Sequence, residues 1–294
     1  MNLQEQIRSN IFRSYVWMVI LTTAIAALGS LLSYFFNWGL TGTSSFIVVA
    51  GVINILAYFF SDKIVLRASG AKSISKERAP ELFQVIENLC TTANLPMPAI
   101  YLIDDSTMNA FATGRNHEHS AIAVTRGLLE RMNKDEIEGV LAHEVSHILN
   151  YDMRFSAIIA VLVGFISLIA DMYWSSQIAS QAQDKDRSGV LAIIGVVVAV
   201  IAPLSAMFIQ LAISRKRELL ADVTGANLTK RPRSLASALN KIAHDVRLPA
   251  HYSRATAHLY FSAPSRDDFI EKLFASHPPI DDRIKILQSL SSEK

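Results

Sequence analysis

Four long runs of apolar, almost uncharged residues constrain this chain more than any other feature: Tyr15 to Phe36, Phe46 to Phe60, Phe155 to Trp174 and Val190 to Ile213. A helix that crosses a bilayer needs about 20 residues at ~1.5 Å rise each. The runs pair into two hairpins, the first closed by the uncharged stretch Asn37 to Ser45, the second by the polar connection Gln177 to Arg187. The first run continues to Phe36, past the length of a signal-peptide core, and reads as an uncleaved anchor. Composition agrees. Charged residues make up 18% of the chain, against about a quarter in a soluble domain, and mean hydropathy is +0.28. A net charge of +2 and the lack of a basic stripe argue against nucleic-acid binding. The single cysteine, Cys90, excludes an internal disulfide and reads as a small buried residue of a helix.

Lysine and arginine beside the runs set the expected orientation, because positive flanks stay on the cytoplasmic side. Arg8 and Arg13 precede the first run, Lys63, Arg67, Lys72, Lys76 and Arg78 follow the second, and Arg215, Lys216 and Arg217 follow the fourth. Both termini and residues 61–154 are therefore expected in the cytoplasm. Asp171 and Pro203 interrupt the second hairpin, so it is expected to sit shallowly or to be shielded by other helices.

Outside the hairpins, residues 61–154 and 214–294 together are long enough for one packed domain. Ala79 to Leu95 places Leu82, Phe83, Val85, Ile86 and Leu89 at helical spacing behind Pro80. Pro98 to Ile103 and Ala121 to Thr125 read as short strands, and Asn109 to Gly114 as a strand ending in a turn. His117 and His119, in a polar hairpin-like stretch, are expected to be exposed.

A further helix is expected from Asn133, an N-cap residue with Glu136 three positions on, to about Asn150. Ile137, Val140, Leu141, Val145 and Ile148 supply its buried stripe. His143 and His147 lie one turn apart on one face and can each offer a ring nitrogen to one Zn²⁺ at ~2.0–2.1 Å. Glu144 between them is placed to take a proton from a metal-activated water. With 8 histidines in 294 residues, chance produces His-Glu-x-x-His on the order of once in 100 such chains.

A catalytic zinc takes three protein ligands and leaves one position open. Where the chain returns from the second hairpin stand Glu218 and Asp222, four apart on one helix face. One can ligate the metal while the other accepts the outer N–H of a ligating histidine.

Taken together, Asn109-Ala110-Phe111-Ala112-Thr113-Gly114, His143-Glu144-Val145-Ser146-His147, Ser214 to Asp222 and Ser276-His277-Pro278-Pro279-Ile280-Asp281-Asp282-Arg283 resemble the HtpX bacterial membrane endopeptidases, relatives of the Ste24 prenyl-protein proteases. The resemblance implies that His143, His147 and Glu218 hold one zinc, that Glu144 is the general base and that Asp222 supports the site. It also implies that Asn109 lies on a substrate-aligning edge strand and that His277 and Arg283 approach the cleft. His277 is the expected donor to the oxyanion.

The fold expected is a mainly α membrane protein with a small β-sheet: four candidate transmembrane helices plus a zincin-like cytoplasmic metalloprotease domain split by the second hairpin. Its parts are a hairpin at 1–60, the first protease segment at 61–154, the second hairpin at 155–213 and the second protease segment at 214–294. The activity expected is zinc-dependent endopeptidase action on unfolded or misassembled membrane proteins at the bacterial inner membrane. A catalytically idle zinc-binding scaffold and a prenyl-protein processing protease are the alternatives.

Overall fold

The computed structural model describes residues 3–35, 37–161, 215–245, 247 and 279–292. The fourth expected span and all but the first residues of the third lie outside the described residues, as does His277.

Helices α1 (Leu3–Phe35) and α2 (Gly39–Ala68) form an antiparallel hairpin. Its turn is narrower than hydropathy suggests. Asn37 and Gly39 take positive φ, 55° and 61°, conformations open to these residue types, and Ser33 Oγ donates to the Gly39 carbonyl at 2.6 Å. The polar residues expected to form a loop are already helical. Ser44 and Ser45 return their hydroxyls to the Thr41 carbonyl at 3.0 and 2.8 Å, which lets the helix absorb them. Among the described residues α2 is the helix long and apolar enough to cross a membrane, with a mean hydropathy of 1.9 over its most apolar window. That window is only 17% buried, and Ile47, Val48, Val52, Ile55, Leu56 and Phe59 point outward. Such a surface is stable only against an apolar medium or partner.

The sheet has the order β1-β2-β4-β3, built from β1 (Lys72–Ser73), β2 (Ala99–Ile103), β3 (Ala110–Asn116) and β4 (His119–Thr125). β2 and β4 run parallel, the other neighbours antiparallel. β3 is therefore an edge strand among the described residues. Strand alternation splits the sheet's side chains between two cores. Ile100, Ala110, Ala112, Ile122 and Val124 face the main core. Ile103, Phe111, Ala121 and Ala123 face a smaller one that includes Val65 and Leu66 of α2 and Ala160. The last turns of α2 are thus part of the folded core rather than a tether.

The main core is closed by α3 (Pro80–Ala93), α4 (Arg126–Arg131), α5 (Lys134–Leu149), α6 (Arg215–Thr229), α7 (Pro232–Ala243) and α8 (Ile280–Ser292). Cys90 is buried in α3 as expected, and burial pushes its thiol up to about 11. α5 runs through the centre. Its expected apolar stripe proves too narrow a description, since every residue from Gly139 to Ser146 is buried. Small residues make this possible. A Cβ on Gly139 would come within 2.8 Å of the Leu235 nitrogen, so only glycine lets α7 pack at that height.

Candidate metal centre

The helix that carries the site begins as its sequence requires. Asn133 Oδ1 accepts from the Glu136 N–H at 2.9 Å, and Glu136 Oε2 accepts from the Asn133 N–H at 2.9 Å, a reciprocal capping box. Lys241 Nζ and Ser237 Oγ of α7 also reach the Glu136 carboxylate, at 2.6 and 2.7 Å. The start of the helix is thereby fixed to a neighbouring helix.

Two and three turns further on, His143 and His147 bring their Nε2 atoms to 3.1 Å of each other. α6 supplies Glu218, whose Oε2 lies 3.6 Å from His143 Nε2 and whose Oε1 lies 3.6 Å from His147 Nε2. Donor atoms of the three residues all fall within 4.8 Å of one another. Ligands ~2.0–2.1 Å from a tetrahedral zinc are spaced about 3.3–3.4 Å apart, so the three closest separations bracket the expected edge. The donor set of two neutral imidazoles and one carboxylate is that of an open catalytic zinc site, and it fits.

The outer nitrogens are engaged as well. His143 Nδ1 stands 3.0 Å from Asp222 Oδ1, and His147 Nδ1 stands 3.3 Å from Asp152 Oδ2. Such carboxylates hold each ring with Nε2 turned inward. Asp222 is in turn gripped by Arg283 of α8, which donates from Nε and Nη2 at 2.7 Å each. Arg283 and Asp222 are both 0% exposed, and Arg283 Nη1 lies 3.6 Å from Glu218 Oε2. Arg283, expected to approach the cleft toward substrate, is fully buried, its fork matched to Asp222 in a bidentate pair and its remaining nitrogen turned to Glu218.

Glu144 projects to the sheet side of the metal helix. Its Oε2 accepts from the backbone N–H of Ala112 at 2.7 Å. Asn109 lies just before β3 and is buried. Its N–H donates to Thr125 Oγ1 at 2.9 Å and its carbonyl accepts from the Thr125 N–H at 3.0 Å, so its backbone pins the start of the edge strand to β4.

Burial and neighbours set the protonation of these groups. Burial opposes charge on His143, but hydrogen bonds to Asp222 and Glu218 outweigh it and carry the imidazole up to about 9. His147 is also raised, with Asp152 overcoming burial. Glu144 is raised chiefly by burial, against the pull of the two histidines. Asp222 resists burial and is lowered, mainly by Arg283.

Two residues of this arrangement were not singled out by the spacing of the motifs: Asp152 and Arg217. The chain leaves α5 through Asn150 and Tyr151, the latter at φ 59°, and the reversal returns Asp152 to His147. A non-glycine residue at positive φ carries no clear sequence signal. The same turn half-buries His117, expected to be exposed, by stacking it 4.2 Å from the Tyr151 ring. His119 is exposed as expected.

A helix bearing two histidines and a glutamate, completed by a carboxylate from a second helix beside an edge strand, defines a metal-dependent peptidase architecture. The chain belongs to peptidase family M48, which it matches over residues 76–291. It is 41% identical over 295 residues to a protease HtpX homolog of Thermoanaerobacter pseudethanolicus, covering 98% of both chains. It is 42% identical over 287 residues to one from Syntrophobacter fumaroxidans, covering 95% of this chain and 99% of that one. The crystal structure of S. mikatae Ste24p aligns with a TM-score of 0.49 at 22% identity, covering 94% of this chain and 67% of that one, a similarity too distant to transfer any detail.

Proposed function

We propose that this M48 peptidase is a membrane-anchored zinc endopeptidase that cleaves unfolded or misassembled membrane proteins at the cytoplasmic face of a bacterial inner membrane. The observation that carries the activity is the convergence of His143, His147 and Glu218 on one point, with Glu144 one residue from the first ligand. The apolar outer face of α2, whose end packs through Val65 and Leu66 into the smaller core behind the sheet, supports the membrane setting.

A zinc ion held by His143, His147 and Glu218 supplies Lewis acidity toward a peptide carbonyl and lowers the pKa of water. Asp222 and Asp152 keep the two imidazoles in the tautomer that turns Nε2 to the metal. Glu144, whose carboxyl burial holds above its ordinary range, is a stronger base than a solvated glutamate. It accepts a proton from the attacking water and returns it to the departing amide nitrogen. The Ala112 N–H, at 2.7 Å, aims that carboxylate.

The same N–H points away from β4, so Ala110, Ala112 and Gly114 share the outer side of β3 by alternation. An extended substrate segment pairs with this edge as an added strand. Ala110 and Ala112 are 2% and 6% exposed, so the cleft must open before substrate enters. His277 remains our proposed donor to the oxyanion on the strength of the family resemblance, and Asn109 the residue that sets the register of the edge. Arg283 acts through Asp222 in this reading.

Replacing Glu144 by Gln tests the assignment: zinc content stays stoichiometric and cleavage of a model membrane protein in detergent is lost. Retained cleavage would sink it. An idle scaffold built on structural zinc predicts a closed set of four protein ligands, whereas three converge here among the described residues.

A further inference from the structure

We infer that Asp152 is the orienting carboxylate of His147 and that Arg217 is the cation that holds it, so that the metal centre rests on two His–Asp–Arg relays instead of one. The inference rests on the proposal that His143, His147 and Glu218 hold zinc.

The first relay runs from His143 through Asp222 to Arg283, with contacts of 3.0, 2.7 and 2.7 Å. The second starts at the other histidine. His147 Nδ1 meets Asp152 Oδ2 at 3.3 Å, and Asp152 Oδ1 lies 3.9 Å from Arg217 Nε. The three side chains are 16%, 5% and 9% exposed, against 2% and 0% for His143 and Asp222. Both relays share a chemical order but differ in grip. The first is bidentate and sealed; in the second the Asp152–Arg217 contact is longer, at 3.9 Å, and lies at the edge of the core.

Position adds a second argument. Arg217 directly precedes Glu218, and its guanidinium stacks 5.1 Å over the ring of Phe155. Asp152 and Phe155 begin the helical run 152–161 that follows the metal helix. The Arg217–Asp152 pair therefore ties the backbone that delivers the third ligand to the segment that orients the second. Arg154 in the same segment is buried between the rings of Tyr15 and Tyr58, at 4.6 and 4.8 Å, which braces it against both helices of the membrane hairpin. His143 is the stiff ligand of the site and His147 the compliant one.

A merely structural role for Asp152 predicts something different. At the first turn of a helix, Asn serves nearly as well as Asp. As an orienting anion, Asp152 cannot be replaced by Asn without loss of ligand basicity.

The test is zinc affinity, measured by chelator competition on the full-length protein in detergent, alongside the visible spectrum of the cobalt-substituted form and the melting of the apoprotein. Asp152→Asn is expected to melt like wild type but bind zinc about 10-fold more weakly, and Asp152→Ala up to about 100-fold more weakly, with an altered cobalt spectrum. Arg217→Gln should weaken binding by less than Asp152→Ala, and Arg217→Lys should recover most of that loss. Zinc affinity within twofold of wild type in a folded Asp152→Asn, with an unchanged cobalt spectrum, overturns the second relay. Wild type that binds no zinc overturns the functional reading itself, a result distinguishable because it precedes any comparison of variants.

Discussion

Gly225 of α6 sits against the backbone of His143, so close that a Cβ there would stand 2.9 Å from the His143 nitrogen and 3.1 Å from the Ala142 carbonyl carbon. Gly225 lies two turns beyond Glu218, and Asp222 lies between them, so all three share one stripe of the helix. The stripe delivers the proposed metal ligand, the carboxylate beside His143 and the bare backbone that lets both arrive.

Gly225→Ala should therefore destabilise the protein by about 1–3 kcal/mol through overpacking, although alanine raises helix propensity by about 1 kcal/mol. Zinc affinity should fall with it, because the displaced helix carries Glu218. Thermal melting and chelator competition check both. A stabilised variant would mean that α6 is not held at this distance.

Breaking the Arg283–Asp222 pair should cost more than a surface ion pair. Arg283→Met removes the stronger partner of a buried carboxylate and leaves it only His143, a loss approaching the roughly 3–5 kcal/mol of a broken buried pair. Arg283→Lys keeps the charge but not the fork, and should fall between wild type and Arg283→Met. Chemical denaturation of the three proteins orders them; equal stability would remove Arg283 from the support of the site.

Metal binding should release protons. In apoprotein prepared by chelation, His143 titrates near 9, above the usual histidine value of about 6.5. Its proton stabilises the apoprotein fully below pH ~6.5, and that contribution is lost as pH rises through 9. Zinc needs the neutral ring, so its apparent affinity should climb across the same window, by up to tenfold per pH unit for each proton displaced, and level off above it. Titration calorimetry in buffers of different ionisation enthalpy counts the protons. A flat affinity between pH 6.5 and 9 would contradict the ring's pairing with Asp222.

The opposite sign applies at the start of the metal helix. Burial raises Glu136, but Lys241, Ser237 and the Asn133 N–H outweigh it and hold the carboxyl below its ordinary range. The stability it lends is present above the usual glutamate value of about 4.3 and lost as pH falls through the lowered one. Glu136→Gln keeps the capping geometry yet loses the ion pair, so it should be less stable at pH 7 by about 1 kcal/mol, with the gap to wild type closing in acid. Denaturation series at pH 3 to 7 test this, and a gap that stays constant in acid would remove Glu136's charge as its source.

Much of α5 was legible because its signals are local. The capping box at Asn133, the pair His143 and His147, and the termination at Asn150 depend on residues within a turn or two of each other. The short strands came out within two residues of their expected limits at all four ends for the same reason: alternation and turn residues act over a few positions. The hairpin turn did not, because hydropathy reports where polar residues begin, whereas Ser44 and Ser45 satisfy their hydroxyls inside the helix.

Sequence alone pointed to the chemistry: the candidate metal ligands, the candidate base and the apolar face of α2. Those follow from residue type and from periodicity of 3.6 or 2 along one element. Tertiary structure decided the partners. That Arg283 pairs with Asp222, that Asp152 returns to His147 through the turn at Tyr151, and that α6 comes near enough for Glu218 to join the two histidines are contacts between residues far apart in the chain or across an irregular turn. Their geometry is set by how closely helices can pack, and at His143 that distance depends on the missing side chain of Gly225.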